Sequence, residues 1–593
     1  MIFRASAAIC FILSSLSVCA FGDDGNYDFS LTNKNQNFSF PSEPGMFYDN
    51  RKTLDSDSLE SKIPSSSVQV NSYGTPGQLN TISLDGGSSE HTKTAINGLV
   101  IGNGQNNVMD LSLLPLEFAD SADIYKNNMK PFGVDASAGL IDFNLFPPEN
   151  VSYVSIFAGS YYSYGGKFYL DLDTNNCRYI IGAAYETASN NFSYEDQYSN
   201  TYIASNLDYQ KLTLIGRVET PLYNLVLTHT GKDAGTGGSY GEWGREDDYL
   251  STANLTSSLA GLDISINYIN WVNEYESPET GSDTNINNTL GASAVKKLEF
   301  GPLSSIISII DKDFILNSSE IGYKNADQAD LSVVNKLTLG RFEAGLDADT
   351  TYRSDLGFFF TPCASLSIKI IDGLLAQGSI STLLNLPTFN DLYWPQEAGA
   401  AGNPYLLPET GWKWQGGVLY SLFPFMLTLT YSENYYSNLI LWEPSEAGVW
   451  TPQNISSMFS RVAAAGIDFN EIYGDFRIAA SYSFSLNYSI NDDPSSMYYQ
   501  YQIIYIPLYK NSFFASVAYK KDFEFDVTSR SVSERFTTPA DTAWLPPYFI
   551  MGAYLRIFIA FIEVDNIFDE SYEEVSGYPM MGRYIRGGIK INF

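Results

Sequence analysis

The stretch Tyr584-Ile585-Arg586-Gly587-Gly588-Ile589-Lys590-Ile591-Asn592-Phe593 alternates residue by residue. Ile585, Gly587, Ile589, Ile591 and Phe593 fall on one face, and Arg586, Gly588, Lys590 and Asn592 on the other. A period of two marks a β-strand. An apolar face backed by two cations suits a strand with lipid on one side and a wet lumen on the other. The last edge strand of a soluble sandwich would show the same pattern, so the rest of the chain has to decide.

At the amino end Arg4 is the only charge before Asp23, and Ala7-Ala8-Ile9-Cys10-Phe11-Ile12-Leu13 form an apolar core. Ala20 and Gly22 occupy the −3 and −1 positions of a cut before Asp23. Residues 1–22 therefore read as a cleaved secretory signal peptide, too short for a membrane-spanning helix. No later segment offers the run of about eighteen apolar residues that such a helix needs. The longest apolar stretch, Tyr548 to Val564, contains Arg556 and Glu563. A chain of this kind can span a membrane only as a closed barrel, because lipid leaves no backbone group unpaired. The 42 Tyr and 37 Phe bring aromatics to 15%, which fits girdles at the two membrane interfaces. A Tyr-rich extracellular β protein shares that composition.

The net charge is −33. That argues against nucleic acid as a partner, since phosphate binding needs a basic surface. Strongly anionic ligands are repelled unless a local basic pocket exists, whereas acidic loops suit divalent cations. Only Cys177 and Cys363 remain after signal removal; a disulfide between them is conceivable in an oxidising compartment and is not decided by sequence. His91 and His229 are the only histidines. No nucleophile or acid motif accompanies either, so the chain does not read as an enzyme.

Residues 23–60 are polar and aperiodic, a flexible leader. Residues 61–148 carry short apolar runs split by Gly-containing turns and read as a small mixed domain. From 149 to 593 alternating segments recur, among them Val151 to Tyr162, Tyr179 to Tyr185, Leu212 to Val218, Leu222 to Thr230 and Leu262 to Trp271. Strands of about ten residues leave ample room there for a 22-stranded barrel, and a separate domain ahead of it favours the large, plugged class.

Several stretches carry a family resemblance. Val68 to Gly86, with Gly74-Thr75-Pro76-Gly77-Gln78-Leu79 inside it, is one; His91-Thr92 ahead of the Asn97-Gly98 turn is another. Asp110 to Glu117 and Ala138 to Phe143 follow. Leu386 to Trp394 with Gly402 to Thr410, and Val564 to Tyr572 with Gly577 to Arg583, lie in the later part. In this order they resemble the plug, barrel signature and carboxy-terminal box of TonB-dependent outer-membrane receptors, and most of all the cobalamin-receptor branch. A strand ending on Phe593 likewise resembles the closing strand of bacterial outer-membrane barrels.

The resemblance implies a mainly β chain: a 22-stranded transmembrane antiparallel barrel with an N-terminal mixed α/β plug in its lumen. It implies a monomer in the bacterial outer membrane, touching lipid and lipopolysaccharide. It also implies import of a small ligand, cobalamin or a metal chelate, with energy from a TonB-type periplasmic partner and no covalent cofactor. Tyr27-Asp28-Phe29-Ser30-Leu31-Thr32 is the leader segment nearest to a TonB box; such a box adds a strand to its partner, which demands little of side chains. The chain also departs from the family. Asp85 stands where an Arg usually precedes Gly86, Asn97 where an Asp precedes Gly98, and Tyr125-Lys126-Asn127-Asn128 replaces a Leu-Arg-Gly-Pro run. The family arginines pair with barrel carboxylates, so their loss predicts a plug held by neutral hydrogen bonds, or less firmly.

By the same resemblance the plug apices face the ligand. One is the loop 102–107 with Asn103, Gln105, Asn106 and Asn107, whose amides both donate and accept. The other is 73–80 with Tyr73, Thr75 and Gln78. Tyr393, Trp394 and Tyr405 either line the outer mouth or belong to the girdle. Two segments read as acidic loops suited to calcium. One contains Glu195 and Asp196; the other contains Asp233, Asp247 and Asp248. Solvated loop charge is the plainer account of both.

Overall fold

The structure, a computed structural model, describes residues 48–52, 63, 65–126, 137–147, 151–195, 200–237, 244–278, 281–396, 399–444 and 449–593. The signal peptide, the Tyr27 to Thr32 segment and Asp196 lie outside them.

Twenty-two antiparallel strands close into a barrel. The first, Tyr153–Gly159, pairs with the last, Tyr584–Asn592, in the register Arg586↔Gly159 through Asn592↔Tyr153. Closure removes both sheet edges, the condition for β structure in lipid. The alternation of the last strand is realised as expected. Ile585, Ile589 and Ile591 are exposed on the outside, while Arg586 is buried inside against Glu563. The strand Gly357–Ile371 repeats the pattern, with Phe358 and Phe360 exposed outward and Thr361, Cys363, Ser365 and Ser367 buried inward.

The two barrel ends differ. At one end strands are joined by turns of two to four residues, such as 260–261, 301–302, 340–341 and 372–373. At the other lie the long connections 189–208, 386–408, 492–508, 533–547 and 566–583. Short turns face the periplasm and long loops the exterior. Val151 to Tyr162 is not one strand: Ser160–Tyr162 is a single 3-10 turn in which Tyr161 and Tyr162 hold positive φ, 58° and 56°. Cys177 sits in the turn after Leu172 and Cys363 on a distant strand, and they form no disulfide with each other.

The N-terminal domain is built on a five-stranded sheet in which Thr92–Ile96 runs parallel to Gly139–Asn144 and the other pairs are antiparallel. Tyr48–Lys52, from the leader, adds to its edge against Ser121–Tyr125. The helical part among the described residues is two single 3-10 turns, Leu111–Leu113 and Leu116–Phe118. Asn97 and Gly98 both take positive φ, 47° and 80°, as a two-residue hairpin turn requires. Its core, with Val70, Leu84, Leu113, Ile141 and Phe143, continues into barrel residues Tyr169, Ile215 and Ile269.

This domain bonds to barrel strands on every side: Lys211 and Lys232, then Asn287, then Asn385 and Glu409, then Ser485 and Lys510. Only a body inside the ring can do so; it is a plug.

The expectation of a neutral or loose seam is corrected by these bonds. Barrel lysines point inward onto plug acceptors. Lys232 Nζ lies 2.9 Å from Asp110 Oδ2, and Lys211 Nζ lies 3.1 Å from Glu117 Oε2. Lys413 Nζ donates to the Ala138 carbonyl at 3.2 Å, and Lys510 Nζ to that of Val68 at 3.0 Å. The plug arginines are gone, but charge-assisted bonds are kept, with the polarity reversed at Lys232–Asp110 and Lys211–Glu117.

Candidate functional site

The loop 102–107 sits at the exterior-facing side of the plug beneath the 386–408 connection. Asn103 shapes it: its Oδ1 accepts the N–H groups of Gln105 and Asn106, both at 3.0 Å. Asn107, at φ 58°, donates through Nδ2 to Asn385 Oδ1 at 3.4 Å. Gln105 Oε1 accepts from Asn287 Nδ2 on the barrel wall at 2.9 Å. Asn106 is the exposed amide of the four, and beside Gly102 there is open space.

Above the loop lies the helix Phe389–Tyr393. Thr388 caps it: its hydroxyl accepts the Asp391 N–H, and the Asp391 carboxylate accepts the Thr388 N–H. This is a capping box, legible in Thr388-Phe389-Asn390-Asp391. The first helical N–H groups point down at the plug. Phe389 N donates to the Gly104 carbonyl at 2.8 Å and Asn390 N to that of Gln105 at 2.9 Å. The Phe389 ring lies against Gly104, where a Cβ would come within 2.8 Å of it. An outer loop is thus latched onto the plug apex. Phe389, Asn390 and Asn287 are not among the residues that sequence reasoning singles out; the capping box is the available signal for the first two, and nothing local marks Asn287.

Tyr393 and Trp394 belong to this outer element rather than to the membrane girdle. They pack with Phe389 over Leu316 and Ile321, and Lys324 Nζ stands 4.7 Å from the Tyr393 ring centre. Tyr405 is 88% exposed. The loop 73–80 is different. Thr75 Oγ1 accepts from Asn190 Nδ2 at 3.0 Å, Gln78 Nε2 donates to the Gly235 carbonyl at 2.8 Å, and Tyr73 meets Tyr578 edge-on at 5.0 Å. Both Thr75 and Gln78 are buried. This loop is fastened both to exterior connections, through Asn190 and Tyr578, and to a barrel strand, through Gly235.

Among the described residues the acidic candidates do not gather at one site, although Asp233 and Asp247 stand opposite each other on neighbouring strands. Asp233, Asp247 and Asp248 stand on the paired strands Asn224–Thr236 and Gly244–Leu259, not in a loop. Asp247 and Asp248, as strand neighbours, face opposite sides. Asp233 pairs with Arg245 at 2.5 Å. Asp248 is buried with its carboxylate 3.1 Å from Lys232 Nζ and accepting from Asn273, so a lysine holds the place between Asp110 and Asp248. Glu195 is on a separate hairpin, opposite Thr201. Among the described residues no three such groups are placed to hold a metal ion.

His91 is a plug-to-barrel fastening. Its Nε2 is 2.7 Å from Glu409 Oε2, and its ring stacks on Tyr436 with centroids 4.7 Å apart. Asp142, buried in the plug sheet, accepts the Gly98 N–H at 2.9 Å. Burial pushes its carboxyl up to about 7, the Gly98 bond works against that, and Asp123 nearby adds to it.

Residues 139–567 match the family model described as "TonB dependent receptor-like, beta-barrel". The chain belongs to the TonB-dependent receptors. The family is one of receptors and transporters rather than enzymes, whose members take up small molecules and engage TonB. The curated relatives of this receptor include the vitamin B12 transporter BtuB of Vibrio vulnificus, 24% identical over 430 residues, 66% of each chain. BtuB of Photobacterium profundum is 24% identical over 434 residues, 65% of this receptor and 66% of the relative. The alignments thus span just under two thirds of those relatives.

Among solved structures, a ferric enterobactin receptor mutant (PfeA) from Pseudomonas aeruginosa superposes with TM-score 0.72 at 13% identity, covering 93% of this receptor and 99% of that chain. The copper transporter OprC gives 0.72 at 15% identity, with the same coverage. The siderophore receptor PirA from Acinetobacter baumannii gives 0.71 at 12%, covering 92% and 98%. These share the TonB-dependent receptor fold.

Proposed function

We propose that this receptor imports cobalamin or a related corrinoid by TonB-dependent energy coupling. The carrying observation is the apex loop, where Asn103, Gln105, Asn106 and Asn107 gather neutral amides under an outer loop bearing Tyr393, Trp394 and Tyr405. Amides match the amide-decorated rim of a corrinoid, and ring faces match its flat apolar surface. The BtuB relatives, named as vitamin B12 transporters, support the same choice. In this reading ligand reaches the apex loop and releases the latch of Phe389 and Asn390. That shifts the leader, residues 23–60 with Tyr27 to Thr32, towards capture by the periplasmic partner through strand addition.

Calorimetry of cyanocobalamin against the detergent-folded protein tests the ligand, run with millimolar calcium and with chelator. Saturable binding supports the reading, and a loss in chelator would assign calcium a role that the spacing of Asp233, Asp247 and Asp248 does not supply. Absence of binding in both conditions sinks cobalamin and turns the search to ferric chelates. Uptake by cells carrying a deletion of residues 23–40 tests coupling. Unchanged uptake would sink coupling through the leader, and no uptake even with the full leader would leave a receptor fold that binds or adheres without energised transport.

A further inference from the structure

A cavity of about 350 Å3 runs down one side of the lumen between plug and wall, within the size range of ligand pockets. At its outer end stand Gly104 and Phe389, under the latch. At its inner end stand Thr256 and Ser265, four positions either side of the periplasmic turn 260–261. It thus extends from beneath the apex loop most of the way to the periplasmic rim. The wall strands Gly281–Phe300 and Leu303–Ser318 meet the plug through one described hydrogen bond, Asn287 to Gln105.

The lining is chemically selective. In a chain of net charge −33, no Asp or Glu is among the described residues that line it, and three cations are: Lys93, Lys312 and Arg353. Arg353 is held by Asp355 at 2.7 and 2.8 Å, and Lys93 is already engaged. Lys312 is not. It lies on Leu303–Ser318 between Gly291 and Gln328 of the neighbouring strands, and makes no ion pair among the described residues. The nearest inward carboxylate across the ladder, Asp330, accepts from Gln328 and Thr351. Amides and hydroxyls make up much of the remaining lining. The Gln328 and Thr351 donors are neutral, so Asp330 keeps its charge. Lys312 is nonetheless the lining cation with no ion-pair partner among the described residues, and in a partly desolvated space its ammonium attracts an anion more strongly than it would in water.

We propose that this cavity is an inner binding site for the transported molecule, which takes an anionic group of it, a phosphate or carboxylate, at Lys312 once the latch has opened. The proposal rests on the transporter reading for the way the cavity is used, and on the lining alone for its chemistry. The phosphodiester of cobalamin would satisfy it, as would the acid groups of a metal chelate.

The test uses the full chain with Cys177→Ser and Cys363→Ser, a reporter thiol from Ser293→Cys, and Asn390→Pro to weaken the latch. Ser293 lines the cavity two positions from Gly291, the residue facing Lys312. Anionic and cationic methanethiosulfonates of similar size are reacted with the thiol, each rate normalised to a small free thiol. The anionic reagent is expected to react about fivefold faster or more, the order expected of one ammonium without an ion-pair partner in a partly screened space. Lys312→Gln should abolish the preference and Lys312→Arg should keep it. Equal rates, a cationic preference, a preference indifferent to Lys312→Gln, or no reaction with either reagent would each overturn the site. Cyanocobalamin calorimetry on the same samples separates the two ideas. An anionic preference without cobalamin binding removes the substrate but keeps the cavity; cobalamin binding without the preference does the reverse.

Discussion

Lys232 is fully enclosed, with Asp110 and Asp248 carboxylates 2.9 and 3.1 Å from its ammonium. Lys232→Met would leave buried Asp110 and Asp248, and the more exposed Glu246 at 3.7 Å, without a counter-charge, a loss of about 3–5 kcal/mol. Hydrogen exchange of residues 110–118 should rise accordingly, and adding Asp110→Asn and Asp248→Asn should recover most of the protection. An unchanged exchange rate in the single variant would show that the pair does not hold the plug. Asp142 gives a pH dependence of definite sign. Its carboxyl titrates near 7 in the folded plug, well above an unfolded aspartate at about 3.9. The folded state therefore favours the neutral form. Its contribution is fully present below about pH 4 and is lost as pH rises through 7. Plug protection, corrected for intrinsic exchange, should be higher at pH 5 than at pH 8, and Asp142→Asn should flatten the difference. At this scale the inward and outward faces are legible in sequence, because Ile585 beside Arg586 is a local signal. The lysine fastenings are not: Lys510 reaches Val68 across 442 positions of sequence, and on its own strand it looks like any lumen-facing polar residue.

Among the elements, the helix Phe389–Tyr393 has the clearest consequence. Asn390→Pro removes the N–H that reaches Gln105, at a first-turn position where proline is tolerated. Exchange of the Gln105 to Asn107 amides should increase severalfold while the barrel strands stay protected; no change would mean that the latch does not restrain the apex. The stretch from Asp233 to Tyr249 shows where sequence reading fails for whole elements. Its sequence reads as a loop, yet Asn224–Thr236 and Gly244–Leu259 continue as a paired hairpin, Asp233 opposite Asp247. Beyond the membrane a strand has water on both sides, so it has no apolar face and the period-two signature vanishes. The same hairpin nearer the periplasm, with Leu225, Leu227 and Leu255, keeps its alternation and is legible as strand.

For the molecule as a whole, 22 strands enclose a lumen that the plug and its fastenings fill except along the side beside Lys312. Deleting residues 63–147 should convert a bilayer-reconstituted receptor with little conductance into an open pore, seen as large single-channel steps. A silent deletion variant would mean that the barrel collapses without its core. The barrel architecture is legible because its strands repeat one local rule where they cross the membrane. The side of the lumen left open beside Lys312 is not, because it depends on which strands the plug fails to touch. The reversed polarity of the seam reaches past this one chain. Wall lysines meet plug acids at Lys211–Glu117 and Lys232–Asp110, and Asp85 acts on the charge of Lys413 and Lys510. A plug transplanted from a relative with arginine in place of Asp85 would therefore set cation against cation at Lys413 and Lys510. Such a graft should seat poorly, and its mirror image, this plug in such a relative's barrel, would set acid against acid. The two parts can change partners only together.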